Sequence, residues 1–149
     1  MIRLIKKEDV KFINEVRNEC REWLHDSSFY TYEEALDWFE KNKDLFFIYE
    51  LEGKRIGYFR TSNWKDDSCY IGMDIHKDFR GKKLSVPAFK EFMKLLNRDY
   101  NIGKFKLEVL TSNDRARSLY KKLGFKFVAW STISHTEEKL SMVMEKSFK

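Results

Sequence analysis

Proline is nearly absent from this 149-residue chain, which has only Pro87. Glycine is scarce at six, and no tract concentrates Gly, Pro or Ser. No linker, repeat or low-complexity segment therefore divides the chain. At this length one domain over residues 1–149 is expected, able to bury about 70% of its unfolded surface. The two cysteines, Cys20 and Cys69, show neither metal-ligand spacing nor a disulfide framework. They predict a reducing, cytoplasmic setting and no metal centre. No apolar run approaches the ~20 residues of a membrane helix. Met1-Ile2-Arg3-Leu4 lacks the form of a secretion signal, so no membrane role is expected.

Apolar residues are 42% and aromatics 16%, the composition of a globular chain rather than a disordered one. The formal net charge of +5 suits an acidic ligand. The basic residues are scattered rather than gathered in one tract, so nucleic acid is not an expected partner. A monomer or homodimer is expected.

The most informative stretch is residues 106–125, K-L-E-V-L-T-S-N-D-R-A-R-S-L-Y-K-K-L-G-F. Leu107, Val109 and Leu110 are strand-like, and Glu108 interrupts them with a carboxylate. Asn113 is a preferred helix N-cap, because its side chain can accept from a free N–H of the first turn. Ala116, Leu119, Tyr120 and Leu123 then recur on one helical face, and Gly124 ends the run as a C′ glycine. A generic amphipathic helix explains Leu119 and Leu123 but not Asn113 and Tyr120 together.

This stretch resembles the second signature of the GNAT N-acetyltransferase family, a strand followed by N-x-x-A-x-x-L-Y-x-x-x-G-F. Asn113, Ala116, Leu119, Tyr120, Gly124 and Phe125 fill it in register. The elements on either side have the family order. A strand over 2–5 precedes a helix over 8–24, with Val10, Ile13, Val16 and Cys20 on one face. Thr31 and Glu34 form a capping box for a helix that carries Ala35, Leu36, Trp38 and Phe39 and ends near Asn42. Strands follow over 45–51 and 55–62, with a hairpin turn at 52–54 and a bulge or close approach at Gly57. A polar connection over 63–68 leads to a strand over 69–76. A helix starts near Ser85, because Pro87 is tolerated only in a first turn. After a turn at 101–103 and the strand over 104–110 comes the helix of the signature. Strands over 126–132 and 139–146 end the pattern, with His135 in the loop between them. The implied fold is mixed α/β (α+β), the GNAT fold. It has a mostly antiparallel sheet of about seven strands, splayed between strands 4 and 5, and four flanking helices.

Residues 78–87, D-F-R-G-K-K-L-S-V-P, put a basic, glycine-containing loop before a helix N-terminus, a site for anions. The segment resembles the family's pyrophosphate loop: Arg or Gln, two residues, Gly, one residue, then Gly or Ala. Arg80 fits; Lys83 stands where glycine is expected and Ser85 at the last position. The resemblance implies that Arg80, Gly81, Lys82, Lys83, Leu84 and Ser85 hold the pyrophosphate of acetyl-CoA. It also implies that Met73 and Ile75 bind the acetyl carbonyl and pantetheine arm through their main chain, with Asn113 on the same arm. For Lys82 and Lys83 the bland alternative is a solvated charge pair.

The implied chemistry is attack by a neutral amine on a thioester carbonyl. It needs a base for the ammonium and an acid for the leaving thiolate. Glu108 lies twelve positions before Tyr120, the spacing of base and acid in ribosomal-protein N-terminal acetyltransferases of this family. That resemblance makes Glu108 the base and Tyr120 the acid, with Asp74 in reserve as base and as a substrate contact. The alternatives are a sheet carboxylate paired with a lysine such as Lys106, and a core tyrosine. The acceptor wall would contain Arg17, Phe29 and Tyr30, close to Trp38 and Phe39. The Arg17-Asn18 segment, Phe29-Tyr30 and the Trp38-Phe39 helix resemble family members that acetylate nucleotide-linked amino sugars, and aromatic faces with cations are compatible with that acceptor. A small amine is therefore the expected acceptor, with peptide N-termini, towards which the Glu108–Tyr120 spacing leans, as the alternative. His25 with Asp26 is a second candidate catalytic pair. Two other classes remain open: a domain that binds CoA without catalysis, and a Cys69–His76 hydrolase. In the hydrolase reading the two residues, seven apart in one strand, would face opposite ways.

Overall fold

The computed structural model describes residues 1–24, 28–131 and 140–148. His25, Asp26 and His135, and the predicted strand ends at Thr132 and Lys139, lie outside them. Among the described residues the order is β1 (Ile2–Leu4), α1 (Val10–Cys20), α2 (Tyr32–Asn42), β2 (Phe46–Leu51), β3 (Lys54–Lys65), β4 (Ser68–Ile75), α3 (Ser85–Tyr100), β5 (Lys104–Leu110), α4 (Asp114–Leu123), β6 (Lys126–Ser131) and β7 (Ser141–Ser147). The strands form one sheet in the order β1-β2-β3-β4-β5-β7-β6. β1–β2, β2–β3, β5–β7 and β6–β7 are antiparallel. β4 and β5 are parallel and pair over Ser68–Tyr70 against Lys104–Lys106. Their ladder stops there, which splays the sheet between strands 4 and 5 as expected.

Local chemistry accounts for most boundaries. α1 is narrower than the predicted helix, because its flanks Lys7–Asp9 and Arg21–Trp23 tighten into 3₁₀ turns. Its face of Val10, Ile13 and Val16 is buried. The capping box of α2 is present: Glu34 N–H donates to Thr31 Oγ1 at 3.2 Å, and Thr31 N–H donates to Glu34 Oε1 at 3.0 Å. Glu52 and Gly53 both take positive φ, 52° and 77°, as a two-residue type I′ hairpin requires. β3 runs past the predicted end at Ser62, correcting the polar connection expected over 63–68. Asn63 at φ 49° bends the strand without ending it, and Trp64 beyond it meets the Tyr100 ring at 5.6 Å.

The chain sorts into two compact units. Met1–Thr61 with Met73–Leu84 packs Ile5, Val10, Ile13, Val16, Ala35, Phe39, Ile48 and Tyr58 into one core. Beside it the buried Asp9 carboxylate accepts from Arg3 Nη1 at 2.7 Å, Arg3 Nη2 at 3.0 Å, Arg55 Nε at 2.8 Å and Lys6 N–H at 2.7 Å. Ser62–Gly72 with Ser85–Lys149 buries Phe89, Phe92, Leu96, Phe105, Leu107, Phe125 and Met144. Among the described residues, no helix is long and apolar enough to cross a membrane.

Candidate active site

β4 delivers its last residues into a basic loop. Met73 and Ile75 are half-buried there, beyond the end of the β4–β5 ladder. A 3₁₀ turn at Lys77–Phe79 follows, capped by His76 Nδ1, which accepts from Asp78 N–H at 3.1 Å. Arg80 turns back on this loop. Its Nε donates to the Ile75 carbonyl at 2.9 Å, and its Nη2 lies 2.9 Å from Cys20 Sγ. Gly81 and Lys83 both have positive φ, 75° and 59°. Turns containing left-handed residues are among the conformations in which successive N–H groups can form an anion-binding nest. Lys83 thus takes a left-handed backbone conformation of the kind that glycine adopts readily. Lys82 Nζ lies over the Phe79 ring at 5.7 Å, and α3 starts at Ser85.

The signature stretch folds as read. β5 places Glu108, half-buried, opposite Val143 of β7. Alternation puts Lys104 and Lys106 on the same side as Glu108. Asn113 Oδ1 accepts from Ala116 N–H at 3.2 Å, and Gly124 closes α4 at φ 97°. Tyr120 is buried with edge contacts to Phe89 at 5.8 Å and Phe125 at 6.1 Å. Tyr70 is a neighbour that sequence reasoning missed. It pairs with Lys106 across the parallel ladder, and Lys106 Nζ sits 5.9 Å over its ring. Its phenol is pushed up from the usual tyrosine range by burial first, then by the carboxylates of Glu108 and Glu145. The parallel register makes Tyr70 a neighbour of the Glu108 face, and sequence alone does not supply that register.

The expected acceptor wall is knitted together by its own contacts. Arg17 donates to the Ser28 carbonyl at 2.5 Å and lies over the Tyr30 ring at 4.2 Å. Asn14 and Asn18 both donate to the Tyr30 carbonyl at 3.0 Å, and Asn18 Oδ1 accepts from Tyr30 N–H at 3.0 Å. Phe29 is 62% exposed, with Arg21 5.4 Å over its ring. Asp74 is buried at 8% exposure, and its Oδ2 accepts from Tyr58 Oη at 2.6 Å and Arg60 Nη1 at 2.5 Å. Two donors therefore anchor that carboxylate oxygen. Cys69 is fully buried, and burial pushes its thiol up to about 12, which removes the thiolate a Cys69–His76 hydrolase would need.

A part-paired parallel junction in an otherwise largely antiparallel sheet, a basic loop leading into α3, and a carboxylate strand leading to an Asn-capped helix are the features that the acyl-transferase reading expects. The profile described as acetyltransferase (GNAT) family matches residues 10–125, and the chain belongs to that family. It is an N-acetyltransferase whose acetyl donor is acetyl-CoA. It is 28% identical over an alignment of 111 residues to an N-alpha-acetyltransferase of Sulfurisphaera tokodaii, a match that covers 66% of this chain and 66% of that protein. A Bacillus subtilis protein named as a candidate ribosomal protein bS18-alanine N-acetyltransferase is 27% identical over 125 residues, 83% of this chain and 78% of its own. Among solved structures, spermidine N-acetyltransferase from Vibrio cholerae, in complex with CoA and spermine, has a TM-score of 0.86 at 16% identity. That match covers 99% of this chain and 94% of that one, and it speaks to the fold alone.

Proposed function

We propose that this protein, acting as one catalytic domain, acetylates the α-amine of a peptide, with Glu108 as general base and Tyr120 as general acid. The observation that carries the acceptor class is the naming of the two sequence relatives, an N-alpha-acetyltransferase and a candidate ribosomal-protein-alanine N-acetyltransferase. The commitments of Arg17 support it. A cation stacked on Tyr30 and bonded to the Ser28 carbonyl is not poised for a diphosphate.

Acetyl-CoA supplies the activated acetyl group. The N–H groups of residues 80–85 hold its pyrophosphate, with Gly81 and Lys83 shaping the turn and Arg80 securing it through Ile75 and Cys20. The left-handed Lys83 preserves the loop and so argues against a domain that has lost its cofactor. Main-chain groups of Met73 and Ile75, together with Asn113, hold the pantetheine arm. Glu108 takes the proton from the acceptor ammonium at a carboxylate oxygen, and Tyr120 Oη returns one to the departing thiolate. Asp74 stays bonded to Tyr58 and Arg60.

A second reading, acetylation of a small amine such as a nucleotide-linked amino sugar, is favoured by the exposed Phe29 face beside Arg21. The test is acetyl transfer measured against N-terminal peptides, nucleotide amino sugars, free amino sugars and polyamines. Preference for a peptide with a defined first residue supports the proposal; preference for a sugar, with no peptide turnover, replaces it with the second reading.

A further inference from the structure

β6 ends the sheet order beside β7, yet Phe127 is 49% exposed and Trp130 57%. A register slip after Phe127 brings both to one side, where Phe127 opposes Met144 and Trp130 opposes Met142. The two rings meet at 5.2 Å. These side chains floor a pocket of about 520 Å³, rimmed by Arg117 and Lys121 of α4 and by Lys126. The volume is that of a small-molecule site, and the three rim charges are all positive. Acetyl transfer as derived above uses none of these residues.

Of the three cations, Arg117 carries the forked donor set. Its Nη2 bonds to Asp114 Oδ1, a carboxylate 82% exposed, and surface pairs of that kind contribute little. Its Nε, by contrast, is buried and meets no hydrogen-bond partner among the described residues. A buried donor without an acceptor is costly. Turning the guanidinium from Asp114 to a carboxylate in the pocket would give Nε–H and one Nη–H two parallel bonds. The floor and Arg117 together thus ask for a ligand with an apolar body and one carboxylate.

We propose that this pocket binds a small amphipathic carboxylate, its aromatic or branched body on Phe127, Trp130 and the methionines and its anion on Arg117. The probe is 3-phenylpropionate, titrated into the full chain and followed through the Arg117 Nε–H and Trp130 indole N–H resonances. Both signals are expected to shift saturably. Arg117→Lys keeps the charge but loses the fork, and should weaken binding about tenfold or more, as should the neutral 3-phenylpropionamide. Trp130→Ala should weaken it independently. The proposal is overturned by an amide that binds as well as the acid, by unchanged affinity in Arg117→Lys, by the absence of saturation, or by dimerisation that buries Trp130 and excludes the probe.

Discussion

Lys83 shows how a single residue can depart from a pattern and keep its shape. Its φ of 59° is left-handed backbone, which costs a residue with a Cβ roughly 1–2 kcal/mol. Lys83→Gly removes that strain and adds a similar freedom to the unfolded chain. We expect unfolding by urea to show nearly unchanged stability for Lys83→Gly, and a loss of about 1 kcal/mol or more for the β-branched Lys83→Val. A harmless valine would mean that the loop does not hold this conformation. The place of Glu108 in β5 was legible in the sequence because a carboxylate interrupts an apolar strand. The anchoring of Asp74 was not, because its partners Tyr58 and Arg60 lie sixteen and fourteen residues away and only strand register brings them together. Burial, then the Asp74 carboxylate, raises the Tyr58 phenol far above its ordinary range, so it stays a donor to Asp74.

At the scale of elements, helices announce themselves through their ends. The cap of Asn113 on Ala116, the left-handed Gly124 and the Thr31–Glu34 box all act within four residues, a span that sequence displays. Strand ends were less legible. The polar run after Ser62 looked like a connection, yet Asn63 absorbs a left-handed turn and β3 continues to Trp64 and Lys65. Gly57 was expected to mark a bulge or a close approach; it marks the close approach, and the bulge falls beside it at Ile56. The β2–β3 register slips at Tyr49/Glu50, and a Cβ at Gly57 would lie 2.3 Å from the Asp74 carbonyl oxygen. Gly57→Ala should therefore destabilise by about 1–3 kcal/mol through overpacking, measurable as a lower urea midpoint at an unchanged m-value. A midpoint equal to wild type would show that β4 yields freely at that contact.

At the scale of the whole molecule, the order of elements along the chain and family membership were legible because two local signatures carry them, whereas the spatial order that sets β7 between β5 and β6 was not. The ion network around Asp9 was not, since Arg55 is 46 residues distant. Burial pushes the Asp9 carboxyl up, but hydrogen bonds from Arg3, Lys6 N–H and Arg55 outweigh it and hold it below its ordinary value of 3.8. A depressed carboxylate stabilises the fold above its unfolded value, and that contribution is lost as pH falls through the folded one. Stability measured by urea unfolding should thus drop below about pH 4. Asp9→Asn should lose about 2–3 kcal/mol at pH 7 and show a weaker acid dependence; an identical acid limb in the variant would remove Asp9 from this role. The central claim, proton transfer by Glu108 and Tyr120, is tested most directly by steady-state acetyl transfer in Glu108→Gln and Tyr120→Phe, alongside acetyl-CoA titration calorimetry. The account predicts that kcat falls by about 10²–10⁴-fold in Glu108→Gln and also falls in Tyr120→Phe, with folded protein and acetyl-CoA affinity retained. Wild-type kcat in both variants would contradict it.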